Sequence, residues 1–287
     1  MNLASPVFPE AWMNDFLASI SAELKAGHVE LPSWSKVTER ARAALARSNV
    51  DNDELARLVG AEAGLAVRVL TVANSAFLTR GGRRLSDLKL AIMRIGHDNL
   101  RSAIYSHALA QLRQAPRLQH LHAQLQQLWH ESTMVAALAR LIALRTASCD
   151  ADAALLAGLL HNIGKLYILA RLDDETSVTI DQDTRSCLLL GWHASIGGMV
   201  AANWQLSDVL CQAIVEQEVL DIAASGQSQL GAALAAAVIG ANALGPFAQT
   251  AAHLHTFARF NIDAEGWSAM LEQARSESAR LRASFGD

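Results

Sequence analysis

Residues 157–165 read Ala-Gly-Leu-Leu-His-Asn-Ile-Gly-Lys, and this stretch decides how the rest of the chain is interpreted. Small and leucine residues precede a polar pair, His161 and Asn162, and Ile-Gly-Lys follows it directly. Alanine and leucine are strong helix formers, and their density here suits a helix packed against other helices. We predict one helix over 152–172 that carries the polar pair into the interior.

The composition around this stretch also favours helices. The chain has 287 residues, of which 51% are hydrophobic and only 5% aromatic. Alanine and leucine supply most of the apolar fraction, whereas a sheet would require more β-branched and aromatic residues. Such apolar content excludes a disordered chain, and the length fits one large domain or two packed lobes. We therefore predict an all-α protein.

Helix breaks divide the chain into segments. Apolar residues recur three and four positions apart between glycines, and Gly96 follows the apolar run 88–95 as a helix-ending residue. Pro116 marks the main internal boundary. The sequence before it predicts a compact set of short helices, and the sequence after it is richer in histidine. No internal repeat is evident.

Two further stretches complete a resemblance to a known family. Residues 65–77 read Leu-Ala-Val-Arg-Val-Leu-Thr-Val-Ala-Asn-Ser-Ala-Phe, and residues 91–96 read Ala-Ile-Met-Arg-Ile-Gly. Together with residues 157–165 they resemble the HDOD family, the HD-related output domain of bacterial signalling proteins. The resemblance covers approximately residues 25–220. It implies an N-terminal helical lobe packed on a C-terminal lobe related to HD phosphohydrolases.

The resemblance also implies a domain plan and a set of site positions. We expect a lead helix in 1–24, an N-terminal HDOD lobe in 25–115, and an HD-like lobe with a C-terminal extension in 116–287. Catalytic HD enzymes hold one or two metals with a His, a His-Asp pair, further His residues and a late Asp. The matching positions here are His130, His161, Asn162, His193, Gln217 or its neighbour Glu216, and Asn242.

Loss of the anionic ligands argues against catalysis. Asn162 stands where the pair has Asp, and a neutral amide holds a hard divalent cation weakly and cannot act as a general base. We therefore predict no catalytic residue and no cofactor, with the histidines retained as packing positions. The alternative is a divalent metal on His130, His161 and His193, since three imidazoles with an open position can hold zinc.

Other polar residues are candidate ligand or partner contacts. Asn74 and Ser75 lie on an apolar helix, where we expect them to pair with backbone or between lobes. Arginines 80, 83 and 84 flank two glycines; they suit a phosphate or an acidic partner, or simply a solvated turn. Lys165 could contact phosphate in an active relative and is expected here to be a helix-end or surface charge. These candidates are Asn74, Ser75, Arg80, Arg83, Arg84 and Lys165.

Charge, cysteine content and hydropathy limit the binding partners and the cellular location that the sequence predicts. The net charge is 24 − 28 = −4, and no basic stripe is present, which argues against nucleic-acid binding. Three scattered cysteines and the absence of a signal peptide predict a cytoplasmic protein. The uncharged run 230–247 is rich in Ala and Gly, so we predict a buried core helix and no membrane span.

The resulting hypothesis is a stand-alone bacterial regulatory protein, a pseudo-enzyme that binds a signalling protein partner or a small ligand. The enzymatic alternative is a divergent metal-dependent phosphohydrolase acting on a nucleotide or phosphodiester through His130, His161 and His193. A third hypothesis, a transcriptional or second-messenger effector, depends only on the arginine loop.

Overall fold

The protein is built from α-helices. The computed structural model describes residues 10–27, 35–47, 49–74, 84–112, 116–174, 181–218, 226–242 and 260–284, and these residues contain helices and no strand. The helices are α1 (Glu10–Lys25), α2 (Lys36–Leu45), α3 (Asn52–Gly60), α4 (Ala63–Ala73), α5 (Leu88–Leu112), a 3-10 helix (Pro116–Leu121), α6 (His122–Thr146), α7 (Ala151–Leu160), α8 (Ile163–Asp174), α9 (Gln182–Asn203), α10 (Asp208–Glu216), α11 (Gln229–Asn242) and α12 (Ala264–Ser284). The predicted all-α class is confirmed.

Aspartate side chains set the first residue of several helices. Asp51 caps α3, Asp150 accepts a hydrogen bond from the Ala153 amide at 2.7 Å, and Asp181 accepts one from the Thr184 amide at 2.7 Å. Each carboxylate satisfies an amide that has no partner within the first helical turn. These caps explain why the long run of helices is divided where it is.

Helix α5 bends at the glycine that the sequence marks as a helix end. Gly96 has φ 76° and ψ 169°, which is not a helical conformation, and helix resumes immediately after it. A positive φ is readily adopted only by glycine. The chain bends sharply here, and residues on both sides of the bend, such as Ile92 and Leu100, pack in the same core.

Two hydrophobic cores share α5. Helices α2 to α4 and the middle of α5 enclose the first core, which contains Leu55, Val59, Leu65, Val69, Ile92, Leu100 and Ile104. The second core is larger and is formed by α1, the end of α5 and α6 to α12. Tyr105 and Leu109 of α5 belong to it. Because α5 contributes to both cores, its end fixes one helix group on the other.

The lead helix α1 packs on the second core although it comes first in the chain. Phe16, Ile20 and Leu24 bury one face of α1 there. The Asn203 side chain donates to the Leu24 carbonyl at 2.8 Å, and this bond ties the end of α1 to the end of α9. Residues 10–25 are therefore part of the C-terminal helix group in space.

A partly buried carboxylate connects three helices on the other side of α5. Glu62, which precedes α4, accepts hydrogen bonds from Ser35 at 2.6 Å, from His107 at 2.7 Å and from Gln111. Burial by itself would raise the pKa of Glu62, but these hydrogen bonds and the charge of His107 together lower it. The ionised carboxylate thus links α2 and α4 to the C-terminal half of α5.

Among the residues that the structure describes, one helical stretch is long and apolar enough to cross a membrane. It spans residues 151–173, and 72% of its apolar window is buried inside the protein. The run beginning at 230 forms α11, in which Leu230, Leu234 and Ile239 are buried. Both stretches form core helices, and the buried window of 151–173 is typical of a helix inside a protein.

Candidate functional site

The stretch that dominates the sequence forms two helices, and the predicted single helix over 152–172 is wrong in this respect. Helix α7 ends at Leu160, α8 begins at Ile163, and His161 and Asn162 form the turn between them. The Nδ1 atom of His161 lies 2.6 Å from the Gly158 carbonyl oxygen. That oxygen is the acceptor that the Asn162 amide would use in a continuous helix, so the histidine side chain competes with the helix at this point.

Glycines bring the surrounding helices close to this turn. A Cβ atom on Gly158 would lie 2.3 Å from the Ala136 Cα of α6, and one on Gly164 would lie 1.9 Å from the His193 carbonyl oxygen of α9. Only glycine allows backbone approach at these distances. The two glycines of the 157–165 stretch therefore position the polar pair between α6 and α9.

His161 is a neutral, buried base. It is 3% exposed, and burial, together with the nearby Lys165 charge, lowers its pKa to about 3. A carbonyl oxygen can only accept, so Nδ1 carries the proton in the contact with Gly158 and the lone pair is on Nε2. The ring is thus held by its own helix and presents an acceptor.

Two buried amides occupy the neighbouring positions. The Asn162 Nδ2 atom lies 3.4 Å from the Ser132 hydroxyl of α6. The Gln217 Nε2 atom donates to the His161 carbonyl at 3.0 Å and to the Ile214 carbonyl at 2.9 Å. Each residue is 1% exposed, and Asn162 Oδ1 and Gln217 Oε1 accept no hydrogen bond from the described residues. Of the two alternatives at this position, Gln217 joins His161, whereas Glu216 binds Ser228 at 2.7 Å.

His193 lies on the α9 side of the same group. It is 2% exposed, and burial followed by the charge of Lys165 lowers its pKa to about 4. Its Nε2 atom is 3.4 Å from Glu218 Oε1. At neutral pH this ring is uncharged, so its contact with Glu218 is a polar contact without a full ion pair.

Three charged side chains surround these neutral groups. Burial lowers the pKa of Lys165, and the charges of Glu131 and Glu218 oppose that shift. Burial raises the pKa of Glu218, and Lys165 opposes it. Among the described residues Lys165 makes no ion pair within 4.0 Å, so it interacts with both carboxylates at longer range. We call the group His161, Asn162, Lys165, His193, Gln217 and Glu218 the polar centre.

Two predicted positions lie at exposed sites. His130 is exposed on α6, and Asn242 is exposed in the last turn of α11. Within the ranges that the structure covers, no group of three or more His, Cys, Asp or Glu side chains is placed to hold a metal ion. The polar centre contains two imidazoles, two amides, one carboxylate and a lysine, but its His and Glu side chains are not placed around one point, so the residues present do not fit a metal centre.

Asn74, the central residue of the second sequence motif, clamps the backbone of a distant residue. Its Nδ2 donates to the Leu85 carbonyl at 2.8 Å, and its Oδ1 accepts from the Leu85 amide at 2.8 Å. The paired bonds close the chain from residue 74 to residue 85, which is the structural role expected for Asn74. Ser75, Arg80 and Arg83 lie outside the described residues, and Arg84 is exposed.

We predict that removing this clamp destabilises the N-terminal helices. Asn74→Ala loses two backbone hydrogen bonds at a partly buried position and should lower the free energy of unfolding by about 2 kcal/mol. Asn52→Ala is the matched control, because the Asn52 side chain contacts His97 at an exposed position. This variant should change the free energy of unfolding by no more than about 0.5 kcal/mol. Urea unfolding followed by circular dichroism measures both; equal stabilities of the two variants would contradict the role of Asn74.

Two members of this region were missed by sequence reasoning. Ser132 and Glu218 carry no motif of their own, and their positions depend on how α6 and α10 pack around residues 161–162. Glu218 directly follows Gln217. A charged residue next to a substituted ligand position was the one signal in the sequence that could have identified Glu218.

Comparison with known proteins agrees with this architecture. The HDOD domain profile matches residues 31–220. The fold resembles a candidate metal-dependent phosphohydrolase from Shewanella amazonensis (TM-score 0.66, 22% identity, 92% of this chain and 98% of that chain). It also resembles an HDOD domain protein of unknown function from Geobacter sulfurreducens (TM-score 0.52, 24% identity, 96% and 98%) and a candidate signal transduction protein from Marinobacter aquaeolei (TM-score 0.55, 21% identity, 100% and 68%). No protein with a curated description matches at significant similarity.

Proposed function

This chain belongs to the HDOD family, and we propose that it is a non-catalytic regulatory protein of a signalling system that acts by binding a partner protein or a small ligand. The family match covers most of the chain, and a relative of the same fold is described as a candidate signal transduction protein. Three free cysteines support a cytoplasmic location. The N-terminal lobe in 25–115 and the HD-like lobe in 116–287 are part of this proposal.

The observation that carries the proposal is the pair of buried amides in the polar centre. Asn162 and Gln217 occupy positions where an HD enzyme has an anionic or imidazole ligand, and Gln217 is held by two backbone carbonyls. Its amide nitrogen is committed to those carbonyls, and neither amide carries negative charge. A divalent cation would therefore find few of the ligands that it needs.

Hydrolysis by an HD enzyme depends on the metal ligands that Asn162 and Gln217 replace here. A bound metal in an HD enzyme supplies an activated water, and a carboxylate holds the metal and accepts protons. Asn162 would hold a metal only weakly and cannot accept a proton. Burial keeps the His161 ring neutral, and its Nδ1 is committed to the hydrogen bond with the Gly158 carbonyl. Lys165 adds a positive charge beside the two imidazoles, which further opposes a second cation.

The space beside Ser132 is too small to hold a ligand in this structure. It is lined by apolar side chains, namely Leu109, Leu125, Leu128, Trp129, Leu159 and Leu166, and it has room for about one water molecule. Binding of a small molecule there would require the lining helices to move apart.

The alternative function is a divergent metal-dependent phosphohydrolase that uses His130, His161 and His193. The name of the Shewanella relative favours this alternative, as do the two neutral imidazoles. A phosphodiester assay distinguishes the two functions. We expect the wild-type protein with added Mn²⁺ to hydrolyse bis(p-nitrophenyl) phosphate no faster than His161→Ala does.

The same assay includes a variant that restores the ligands. Asn162→Asp combined with Gln217→His returns one carboxylate and one imidazole to the centre, and a gain of Mn²⁺-dependent hydrolysis in this variant would show that the assay detects a repaired site. Wild-type turnover that exceeds that of His161→Ala and disappears with chelator would overturn the proposed function in favour of the alternative.

A further inference from the structure

Three consecutive side chains at the end of α10 each contact a different element of the second core. Glu216 is the last residue of α10, Gln217 is its C-cap residue, and Glu218 follows directly. Consecutive residues in a helical turn point about 100° apart, so one helix end can face three neighbours. We call Glu216, Gln217 and Glu218 the junction.

Glu216 holds the start of α11. Its Oε2 atom accepts hydrogen bonds from the Ser228 hydroxyl at 2.7 Å and from the Ser228 amide at 3.0 Å. The Ser228 hydroxyl in turn accepts from the Gly231 amide, in the first turn of α11, at 3.0 Å. The Gln227 side chain also donates to the Glu216 carbonyl at 3.1 Å. The start of α11 is therefore fixed by one carboxylate and one backbone carbonyl at the end of α10.

Gln217 holds the turn between α7 and α8. Its Nε2 atom donates to the His161 carbonyl at 3.0 Å, and the residue is 1% exposed. Water therefore cannot replace this hydrogen bond unless the helices separate, and a buried carbonyl that loses its donor is costly. The position of the α7–α8 turn thus depends on the position of the end of α10.

Helix α9 is the third element at the junction. The Glu218 Oε1 atom lies 3.4 Å from His193 Nε2. One turn earlier, a Cβ atom on Gly198 of α9 would lie 2.3 Å from Val215 Cγ2 of α10. A polar contact and close packing therefore join α9 to the same helix end.

We propose that the junction is a conformational coupling device, through which displacement of the start of α11 or of α9 also loosens the α7–α8 turn. The three side chains share one helix end, and hydrogen bonds weaken steeply when their atoms move apart, so the contacts open together. A partner that moved α11 or α9 would thereby change the polar centre without entering it. This coupling does not depend on whether the protein is an enzyme.

Native-state hydrogen exchange of the full chain, followed by nuclear magnetic resonance, tests the coupling. One reporter is the Ala232 amide, which donates to the Ser228 carbonyl in the first turn of α11 at 2.9 Å. The other is the Leu166 amide, which donates to the Asn162 carbonyl beside the α7–α8 turn at 3.1 Å. The two amides therefore report separately on the two elements.

Glu216→Ala removes the carboxylate that holds α11, yet we expect it to speed exchange about tenfold at Leu166 as well as at Ala232. Gln217→Leu removes the donor to the α7–α8 turn and should speed exchange at Ala232 by a similar factor, because a coupling free energy is reciprocal. Gln212→Ala is the matched control. Gln212 donates to the other Glu216 oxygen at 2.7 Å from an exposed position, and both residues lie on α10. This variant should leave both reporter amides within about twofold.

Two outcomes would overturn the coupling. In the first, Glu216→Ala speeds exchange at Ala232 and leaves Leu166 unchanged, which means that the two elements open independently. In the second, the Ala154 amide, which donates to the Asp150 carbonyl at the far end of α7, is accelerated as much as Leu166. Equal acceleration there would mean a loss of global stability in place of a local coupled opening.

Discussion

Gly164→Ala is expected to lower the free energy of unfolding by about 3 kcal/mol or more, although alanine is the better helix former. A Cβ atom at this position would lie 1.9 Å from the His193 carbonyl oxygen and 2.8 Å from the Gly197 amide nitrogen. Both atoms belong to the backbone of α9, so no side-chain rotation can relieve the contact. Helix α8 would have to move away from α9 and would open the polar centre.

Gly191→Ala is the matched control for this prediction. Gly191 lies within α9, and a Cβ atom there would meet nothing within 4 Å. Alanine should therefore stabilise the protein by up to about 1 kcal/mol through its helix propensity. Urea unfolding followed by circular dichroism compares the two variants; a Gly164→Ala protein as stable as Gly191→Ala would contradict the close approach of α8 and α9.

Trp204→Ala is expected to lower the free energy of unfolding by about 3–5 kcal/mol. Trp204 is 2% exposed and stacks on Tyr105 with ring centroids 4.4 Å apart. The Tyr105 hydroxyl also donates to the Trp204 carbonyl at 2.8 Å. The substitution leaves a large cavity where α5 meets the end of α9, and this contact ties the shared helix α5 to the second core.

Trp192→Ala provides the same chemical change at the surface. Trp192 is 45% exposed, so its loss should change the free energy of unfolding by less than about 1 kcal/mol. The two variants are compared in one denaturation series. Equal losses in both would show that the burial assigned to these two tryptophans is wrong.

Helical content and family could be predicted because they depend on local patterns. The small and apolar residues before His161 specify a helix that packs closely, and Gly96 ends a helix wherever its neighbours lie. Asn74 was expected to pair with backbone because a buried amide needs partners. The identity of that partner, Leu85, depends on where the chain returns, which no local pattern states.

Contacts between distant segments could not be predicted. A choice between two local hydrogen bonds was also beyond the sequence pattern: the predicted single helix over 152–172 is broken because the His161 side chain bonds the Gly158 carbonyl. The Glu62 link to His107 and Gln111 joins residues more than forty positions apart. The burial of Trp204 and the exposure of Trp192 likewise follow from helix packing, since the two residues lie in the same stretch of sequence.

The metal content of protein purified without chelator tests the central claim, that the polar centre is not a metal-dependent hydrolytic site. Elemental analysis of the wild type and of His161→Ala should find well below one equivalent of any transition metal in both. About one equivalent in the wild type, lost in His161→Ala, would contradict the claim and would favour a phosphohydrolase that uses His161.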